Sequence, residues 1–356
     1  MDLAELVADR SILVTCGSGG VGKTTTAAAL ALAGAMAGRR ACVVTIDPAK
    51  RLADALGLKS LTNTPNRIEG DWPGELWALM LDTKGTFDEL IHRYAATPDQ
   101  ARVILDNRLY RNISGALSGT QEYMAMEKLY ELHHQTDFDL VVVDTPPTRN
   151  ALDFLDAPRR LTNFLDNRIF RLLIMPTRAY LKAVSVATQT FLRTISRVVG
   201  AEVVGDAIAF FEAFEGMEAG FRFRAQAVRD LLTAPGTAFV LVTSPRPEAV
   251  EEAAFFASKL DESGIDVDAL VVNRLHPRFG GPEMTHDQAN VAPTPLAVLR
   301  GNLADFQRVA EGEESHFGSL AKQVGTAPVQ RVPFLAGDVH DLEGLRIVGD
   351  YLLGRA

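Results

Sequence analysis

Residues 17 to 24 carry the clearest chemical signal in the sequence. They read Gly-Ser-Gly-Gly-Val-Gly-Lys-Thr and fit the pattern G-x-x-x-x-G-K-[ST]. Glycines let consecutive backbone N–H groups turn inward around phosphate oxygens, and a following helix adds the positive end of its dipole. The Lys23 ammonium can reach the β- and γ-phosphates, and the Thr24 hydroxyl can hold Mg²⁺. The motif therefore predicts a site for a nucleoside triphosphate.

The segments on either side of this loop have the composition that a phosphate loop needs. Ile12 to Cys16 is a short apolar run typical of a buried strand, and the stretch after the loop is rich in Ala and Leu. Such a stretch has strong helix propensity, so the order is strand, glycine loop, helix. We expect the loop and the first helical turn to contact the nucleotide through Gly17, Ser18, Gly19, Gly20, Val21, Gly22, Lys23, Thr24 and Thr25.

Two aspartates directly follow apolar runs that read as buried strands. Asp47 follows Ala41 to Ile46, and Asp144 follows Phe138 to Val143. The βαβ order predicts a parallel sheet, in which chemistry gathers at the carboxyl ends of the strands. We interpret Asp144 as the carboxylate that shares Mg²⁺ with Thr24, although it could instead cap a helix. For Asp47 the residues alone favour neither a chemical role nor a helix cap.

The rest of the chain suggests an α/β domain interrupted by a helical insertion. Residues 155–235 are rich in Phe and have helical spacing, so they break the alternation of strands and helices. We therefore predict a nucleotide-binding domain formed by 1–154 and 236–356, with 155–235 as a helical subdomain. The apolar faces of this subdomain could form its own core or a groove for a partner. Later strands are predicted at 238–243, 267–272 and 329–334.

Composition and charge indicate which partners are disfavoured and which cellular compartment is expected. The formal net charge is −9 and the pI is about 5.4, without a block of like charge, which disfavours nucleic acid as the main partner. Two cysteines provide no disulfide framework and suit a reducing compartment. No apolar stretch is long enough to span a bilayer. We expect a cytoplasmic protein that could also associate peripherally with a membrane.

Three segments, in the correct order, resemble one known family. Residues 17–24 are similar to the variant phosphate loop G-K-G-G-V-G-K-T, 47–56 to the switch I segment D-P-A-H-x-L-x-D-x-F, and 144–155 to the switch II segment D-T-A-P-T-G-H-T-L-R-F-L. Residues 271–273, Val-Val-Asn, resemble the strand that carries an asparagine near adenine. The chain thus resembles the ArsA-type ATPases, which include the arsenite-pump ATPase and the ATPase that targets tail-anchored membrane proteins.

The resemblance implies a P-loop NTPase fold with a doubly wound, mostly parallel sheet, helices on both faces and a helical insertion. It also implies ATP and Mg²⁺ as ligands and a dimer that closes over two ATP molecules. By motif match, Lys23 would bind phosphates and contribute to catalysis, Thr24 and Asp144 would serve Mg²⁺, and Asp47 would orient the attacking water. Asn273 would lie beside the adenine.

The resemblance further implies that nucleotide state is coupled to residues 155–235, which would handle a hydrophobic or membrane-associated partner. Ser18 departs from the family, because a lysine at this position reaches the phosphates of the partner subunit. Lys50 and the pair Arg149–Asn150 depart from the switch motifs. We therefore expect weak hydrolysis as a homodimer, or pairing with a paralogous ATPase that keeps the lysine. The alternatives are a weakly hydrolysing subunit of such a heterodimer and a partitioning or positioning ATPase.

Overall fold

The computed structural model describes residues 1–47, 51–108, 110–111, 120–146, 201–279 and 295–356. These residues form two compact units. The first unit contains the described residues of 1–80, 132–152 and 233–356, and the second contains those of 81–131 and 153–232. The sequence-based boundaries differ from this division, because they placed 81–131 in the nucleotide-binding domain.

An eight-stranded sheet forms the centre of the first unit, with the order β3-β4-β2-β5-β1-β6-β7-β8. Six neighbouring pairs are parallel, and only the edge strand β3 is antiparallel to β4. The mostly parallel α/β sheet predicted from the sequence is confirmed. The strands are β1 (Ile12–Cys16), β2 (Arg40–Thr45), β3 (Asn66–Ile68), β4 (Glu75–Met80), β5 (Leu140–Asp144), β6 (Thr237–Thr243), β7 (Ala269–Leu275) and β8 (Val329–Pro333).

The central strands are apolar on both faces because helices cover both sides of the sheet. Every residue of β1, β5 and β6 is buried, as expected for a parallel sheet. On one face, alternate strand residues join a cluster with the helices α1 (Leu3–Asp9), α2 (Lys23–Met36), α3 (Arg51–Ala55) and α11 (Leu342–Leu352). The helices α9 (Pro247–Glu262) and α10 (Pro295–Gln323) contact β6 and β7, respectively.

Two details of the sheet differ from the sequence prediction. The short strand β3 lies in a stretch that we expected to be loop, since three residues are too few for a visible alternation. Strand β7 was predicted to end at Val272 but continues to Leu275 through an irregularity between Asn273 and Leu275, where it pairs with β8. Asn273 and Arg274 therefore lie within β7, near the carboxyl end of the strand.

The second unit is helical in the part that the structure describes. Its helices are α4 (Thr83–Tyr94), α5 (Pro98–Asp106), most of α6 (Thr120–Gln135), α7 (Ala201–Ala213) and α8 (Glu218–Leu232). Phe210 and Phe214 stack at 5.7 Å between ring centroids, and Phe214 stacks on Phe221 at 5.2 Å. These side chains are buried, so here the phenylalanines form a core. Residues 155–200 of the predicted subdomain lie outside the described residues. No helix among the described ranges is both long enough and apolar enough to cross a membrane.

A buried ion pair joins two helices of the second unit. The Nε atom of Arg224 on α8 lies 2.9 Å from Oε1 of Glu127 on α6, and the two side chains are 8% and 1% exposed. The guanidinium also lies 4.0 Å from the ring centre of Tyr130. Burial raises the pKa of Glu127 to about 7, although Arg224 and Arg93 favour its charged form. The carboxylate therefore depends on these two arginines, and first on Arg224, for its charge.

Replacing Arg224 by methionine should destabilise the second unit strongly. Removing one partner of a buried ion pair costs about 3 kcal/mol, because the buried Glu127 carboxylate then keeps only Arg93, at 3.5 Å, as a compensating charge. The folded variant would hold a proton on Glu127 at a higher pH than wild type does, so its stability deficit should be larger at pH 8 than at pH 6. Thermal unfolding of Arg224→Met at both pH values measures this.

The matched control is Arg108→Met, which removes an arginine 3.5 Å from Glu202 on the surface. Such exposed pairs contribute about 0–1 kcal/mol. Equal losses for both variants would contradict the structural importance of the buried pair.

Candidate nucleotide-binding site

The phosphate loop, residues 17–24, connects β1 to the first turn of α2. Gly17, Gly20 and Gly22 have positive φ angles of 149°, 77° and 98°, which glycine adopts without steric cost. Two of them also have no room for a side chain. A Cβ at Gly17 would lie 2.0 Å from the Val242 carbonyl oxygen, and one at Gly22 would lie 2.2 Å from Asn273 Nδ2. The glycines are therefore required by conformation and by close packing.

Lys23, the first residue of α2, points back into the loop. Its Nζ donates a hydrogen bond of 2.8 Å to the Ser18 carbonyl oxygen, and the side chain is buried. Burial is the main cause that lowers the pKa of Lys23, while Asp144, Cys16 and Asp47 act in the opposite direction. An anionic ligand beside Nζ would favour the charged ammonium. The geometry suits a lysine that binds phosphate.

Asp144, at the carboxyl end of β5, lies directly beside Thr24. Its Oδ2 accepts hydrogen bonds of 2.8 Å from the hydroxyls of Thr24 and Thr45. Its Oδ1 is buried and has no hydrogen-bond partner among the described residues. Burial raises the pKa of this carboxyl to about 6, against the two hydroxyls and Lys23, which lower it. A threonine hydroxyl beside a carboxylate with an uncommitted oxygen provides the hard oxygen ligands that Mg²⁺ prefers.

Asp47 follows β2 at the same edge of the sheet. Its backbone N–H donates to the Thr45 hydroxyl over 3.2 Å, and its Oδ2 lies 3.4 Å from Arg51 Nη1. Residues 48–50, including Lys50, lie outside the described residues, as do Arg149 and Asn150. The position of Asp47 is compatible with a role in chemistry, and its role stays a prediction.

A cavity of about 330 Å³ lies against the loop and is lined by several of the residues predicted to bind the nucleotide. We call it the nucleotide cavity. Ser18, Gly19 and Val21 instead line a second cavity of about 640 Å³, which shares Gly20 and Arg274 with the first. Gly17, Asp144 and Asn273 line neither of these two cavities. The residues around the nucleotide cavity are Gly20, Gly22, Lys23, Thr24, Thr25, Asp47, Arg51, Asp54, Ala55, Thr145, Arg274 and Val339.

Comparison with known proteins shows the family of the chain. The family model described as anion-transporting ATPase matches residues 10–280, which include the loop, Asp47, Asp144 and Asn273. The chain belongs to the anion-transporting ATPase family. The family resemblance predicted from the sequence is therefore confirmed.

Proteins from several different organisms are similar in sequence to this chain. The chain is 27% identical over 260 residues to an ATPase ASNA1 homolog of Dictyostelium discoideum, with 73% of this chain and 70% of the relative covered. It is 30% identical over 272 residues to an uncharacterized Streptomyces coelicolor protein, covering 75% and 63%. It is 27% identical over 343 residues to ATPase ARSA1 of Chlamydomonas reinhardtii, covering 90% of this chain and only 40% of the relative.

The side chain of Asn273 contacts the phosphate loop. Its Nδ2 donates to the Val21 carbonyl oxygen over 2.9 Å, and its Oδ1 accepts from the backbone N–H of Arg274 over 2.9 Å. The side-chain amide thus holds the loop, and the predicted contact with adenine stays a prediction.

Two further residues of the site were not among the sequence predictions. Thr45 supports Asp144, which it faces across the β2–β5 ladder. Arg274 contacts the loop through a hydrogen bond of 3.0 Å from Nη1 to the Gly20 carbonyl oxygen. The signal for Thr45 was its position near the end of a strand, but its relevance depends on β2 and β5 being neighbours.

Gly22→Ala should impair nucleotide binding far more than a comparable substitution elsewhere. The methyl group would be forced onto Asn273 Nδ2, and the residue would keep a positive φ, so the loop must shift. We expect at least about a tenfold loss of ATP affinity, which corresponds to about 1.4 kcal/mol. Calorimetric titration with ATP measures this.

Gly38→Ala is the control for backbone strain alone. Gly38 has a φ of 87°, and nothing lies within 4 Å of the position of an added Cβ. This variant should lose some stability but keep its ATP affinity. If both variants bind ATP as wild type does, the close packing of Gly22 is not important for the loop.

Proposed function

We propose that this chain binds ATP with Mg²⁺ and hydrolyses it, and that nucleotide state controls the conformation of a dimer. The proposal rests on the carboxylate of Asp144. One of its oxygens accepts a hydrogen bond from Thr24, the last residue of the phosphate loop, and the other oxygen has no hydrogen-bond partner among the described residues. Membership of a family whose relatives are named ATPases supports the same activity.

Each residue of the site has a distinct task in this proposal. The backbone N–H groups of residues 17–24 and the N-terminus of α2 bind the phosphates, and the Lys23 ammonium neutralises their charge. Thr24 and Asp144 hold Mg²⁺, which supplies positive charge to the phosphate oxygens when it is bound. Asp47 orients the attacking water, and its ion pair with Arg51 fixes the direction of its carboxylate. Asn273 keeps the loop in place and borders the adenine.

The family also suggests which partner the nucleotide-dependent conformational change would act on. The resemblance of the three motif segments to ArsA-type ATPases supports a dimer that handles a hydrophobic or membrane-associated protein, with the region 155–235 as the client surface. The dimer would consist of two identical chains or of this chain and a paralogous ATPase. The protein would act in the cytoplasm or peripherally at a membrane.

Ser18 provides the reason to propose slow hydrolysis by the chain alone. Its hydroxyl is buried and has no hydrogen-bond partner among the described residues, and a hydroxyl brings no positive charge to a phosphate. A cation supplied across a subunit interface contributes roughly 10³ to 10⁵ in rate. This observation supports the second candidate, a binding subunit whose partner chain supplies the cation.

Steady-state ATP hydrolysis of the purified chain tests the proposal. We expect measurable ATP binding, slow turnover, and loss of both in Lys23→Ala. Ser18→Lys should raise turnover by at least about tenfold, because it restores a charge of the kind that acts in trans. Lys259→Ala is the matched control, since Lys259 pairs with Glu262 on the surface of α9.

The outcomes separate the candidates. ATP binding that survives in Lys23→Ala would contradict the proposed site. Efficient turnover by wild type, without a gain in Ser18→Lys, would contradict the importance of the missing lysine. ATP binding without any turnover in either wild type or Ser18→Lys would favour the second candidate, a binding subunit of a heterodimer.

A further inference from the structure

Arg274 has a backbone conformation that non-glycine residues rarely adopt. Its φ is 63°, and no other non-glycine residue among the described ranges has a positive φ. Two hydrogen bonds hold it there, from its backbone N–H to Asn273 Oδ1 over 2.9 Å and from Nη1 to the Gly20 carbonyl oxygen over 3.0 Å. Such conformations persist when their surroundings fix them, and they are frequent at functional sites.

The sheet irregularity explains how the side chain reaches the loop. The register of β7 against β8 shifts between Asn273 and Leu275, so Arg274 is the extra residue of a bulge. A bulge releases one residue from the ladder and redirects its side chain. Here the side chain turns toward the phosphate loop and borders both the nucleotide cavity and the second cavity.

The charges around the nucleotide cavity make this arginine distinctive. Three cations line it, and one of them, Arg51, already pairs with a carboxylate, that of Asp47. Arg274, like Lys23, donates only to a neutral carbonyl oxygen. Within the described parts of the chain, it has no carboxylate partner at ion-pair distance. Its charge is therefore available to an anionic ligand.

We propose that Arg274 binds the phosphate groups of the nucleotide directly and supplies a cation from within the same chain. This inference rests on the proposed function, since it requires ATP in the nucleotide cavity. A guanidinium has five N–H donors in a planar fork, and one of them is used by Gly20. The remaining donors can form charge-assisted bonds with phosphoryl oxygens.

Nucleotide titrations of Arg274 variants test the inference. We expect Arg274→Gln to weaken binding of ATP by about tenfold or more, because it loses a charge-assisted contact. Binding of AMP should weaken less, and binding of adenosine should not change. Arg274→Lys should recover part of the ATP affinity, since it keeps the charge but not the fork.

Two controls separate contact with phosphate from support of the loop. Arg274→Gly removes the whole side chain, including its bond to Gly20, and tolerates the positive φ, so its ATP affinity should fall while its adenosine affinity stays at the wild-type value. Arg278→Gln replaces an exposed arginine on the same segment that does not line the nucleotide cavity, and it should bind ATP as wild type does.

Specific outcomes would overturn the inference. Equal losses for ATP and adenosine in Arg274→Gln would assign Arg274 a supporting role for the loop. Unchanged ATP affinity in Arg274→Gln, with binding lost in Lys23→Ala, would reject the phosphate contact and leave the proposed function intact. ATP binding that is absent from wild type would reject the proposed function itself, and with it this inference.

Discussion

The buried carboxylate of Asp144 is the interaction on which the proposed site depends. It joins three elements, because it ends β5, accepts from Thr45 on β2 and accepts from Thr24 on α2. A buried carboxylate is stable only when hydrogen bonds or cations compensate its desolvation, and here two hydroxyls and Lys23 provide part of that compensation. Its unbonded Oδ1 leaves the rest to a ligand. The parallel sheet therefore positions a buried carboxylate, with one oxygen unbonded within the described part of the chain, beside the phosphate loop.

The opposite side of the loop is held by a different set of contacts. Asn273 binds the backbone at Val21, Arg274 binds it at Gly20, and Gly22 leaves no gap against Asn273. The end of β7 thus supports the loop from one side, while Thr45 at the end of β2 and Asp144 at the end of β5 lie on the other side, next to Thr24. The loop is therefore held from two sides, by the end of β7 and by the ends of β2 and β5.

The sequence contained enough local information to predict the phosphate loop, the pairing of Thr24 with Asp144, and the class of the sheet. A glycine loop between a strand and a helix is a short-range pattern, and its consequences can be worked out residue by residue. The family match over 10–280 confirms the family resemblance. The roles of Lys23, Thr24, Asp47, Asp144 and Asn273 toward a nucleotide and Mg²⁺ remain predictions, since they depend on a ligand.

Other features could not be read from the sequence because they depend on which strands are neighbours. Thr45 matters only because β2 lies beside β5, and Arg274 reaches the loop only because β7 has a bulge against β8. The grouping of 81–131 with the second unit depends on helix packing, such as the contact between α6 and α8 through Glu127 and Arg224. These are long-range contacts, which local patterns do not encode.

The most direct test of the central claim is calorimetric titration of ATP into wild type and Asp144→Asn, each with Mg²⁺ and with a chelator. We predict that Mg²⁺ increases the ATP affinity of wild type and that this increase is lost in Asp144→Asn, while binding without Mg²⁺ is kept. The same Mg²⁺-dependent increase in both proteins would contradict the assignment of Asp144 as the metal-holding carboxylate.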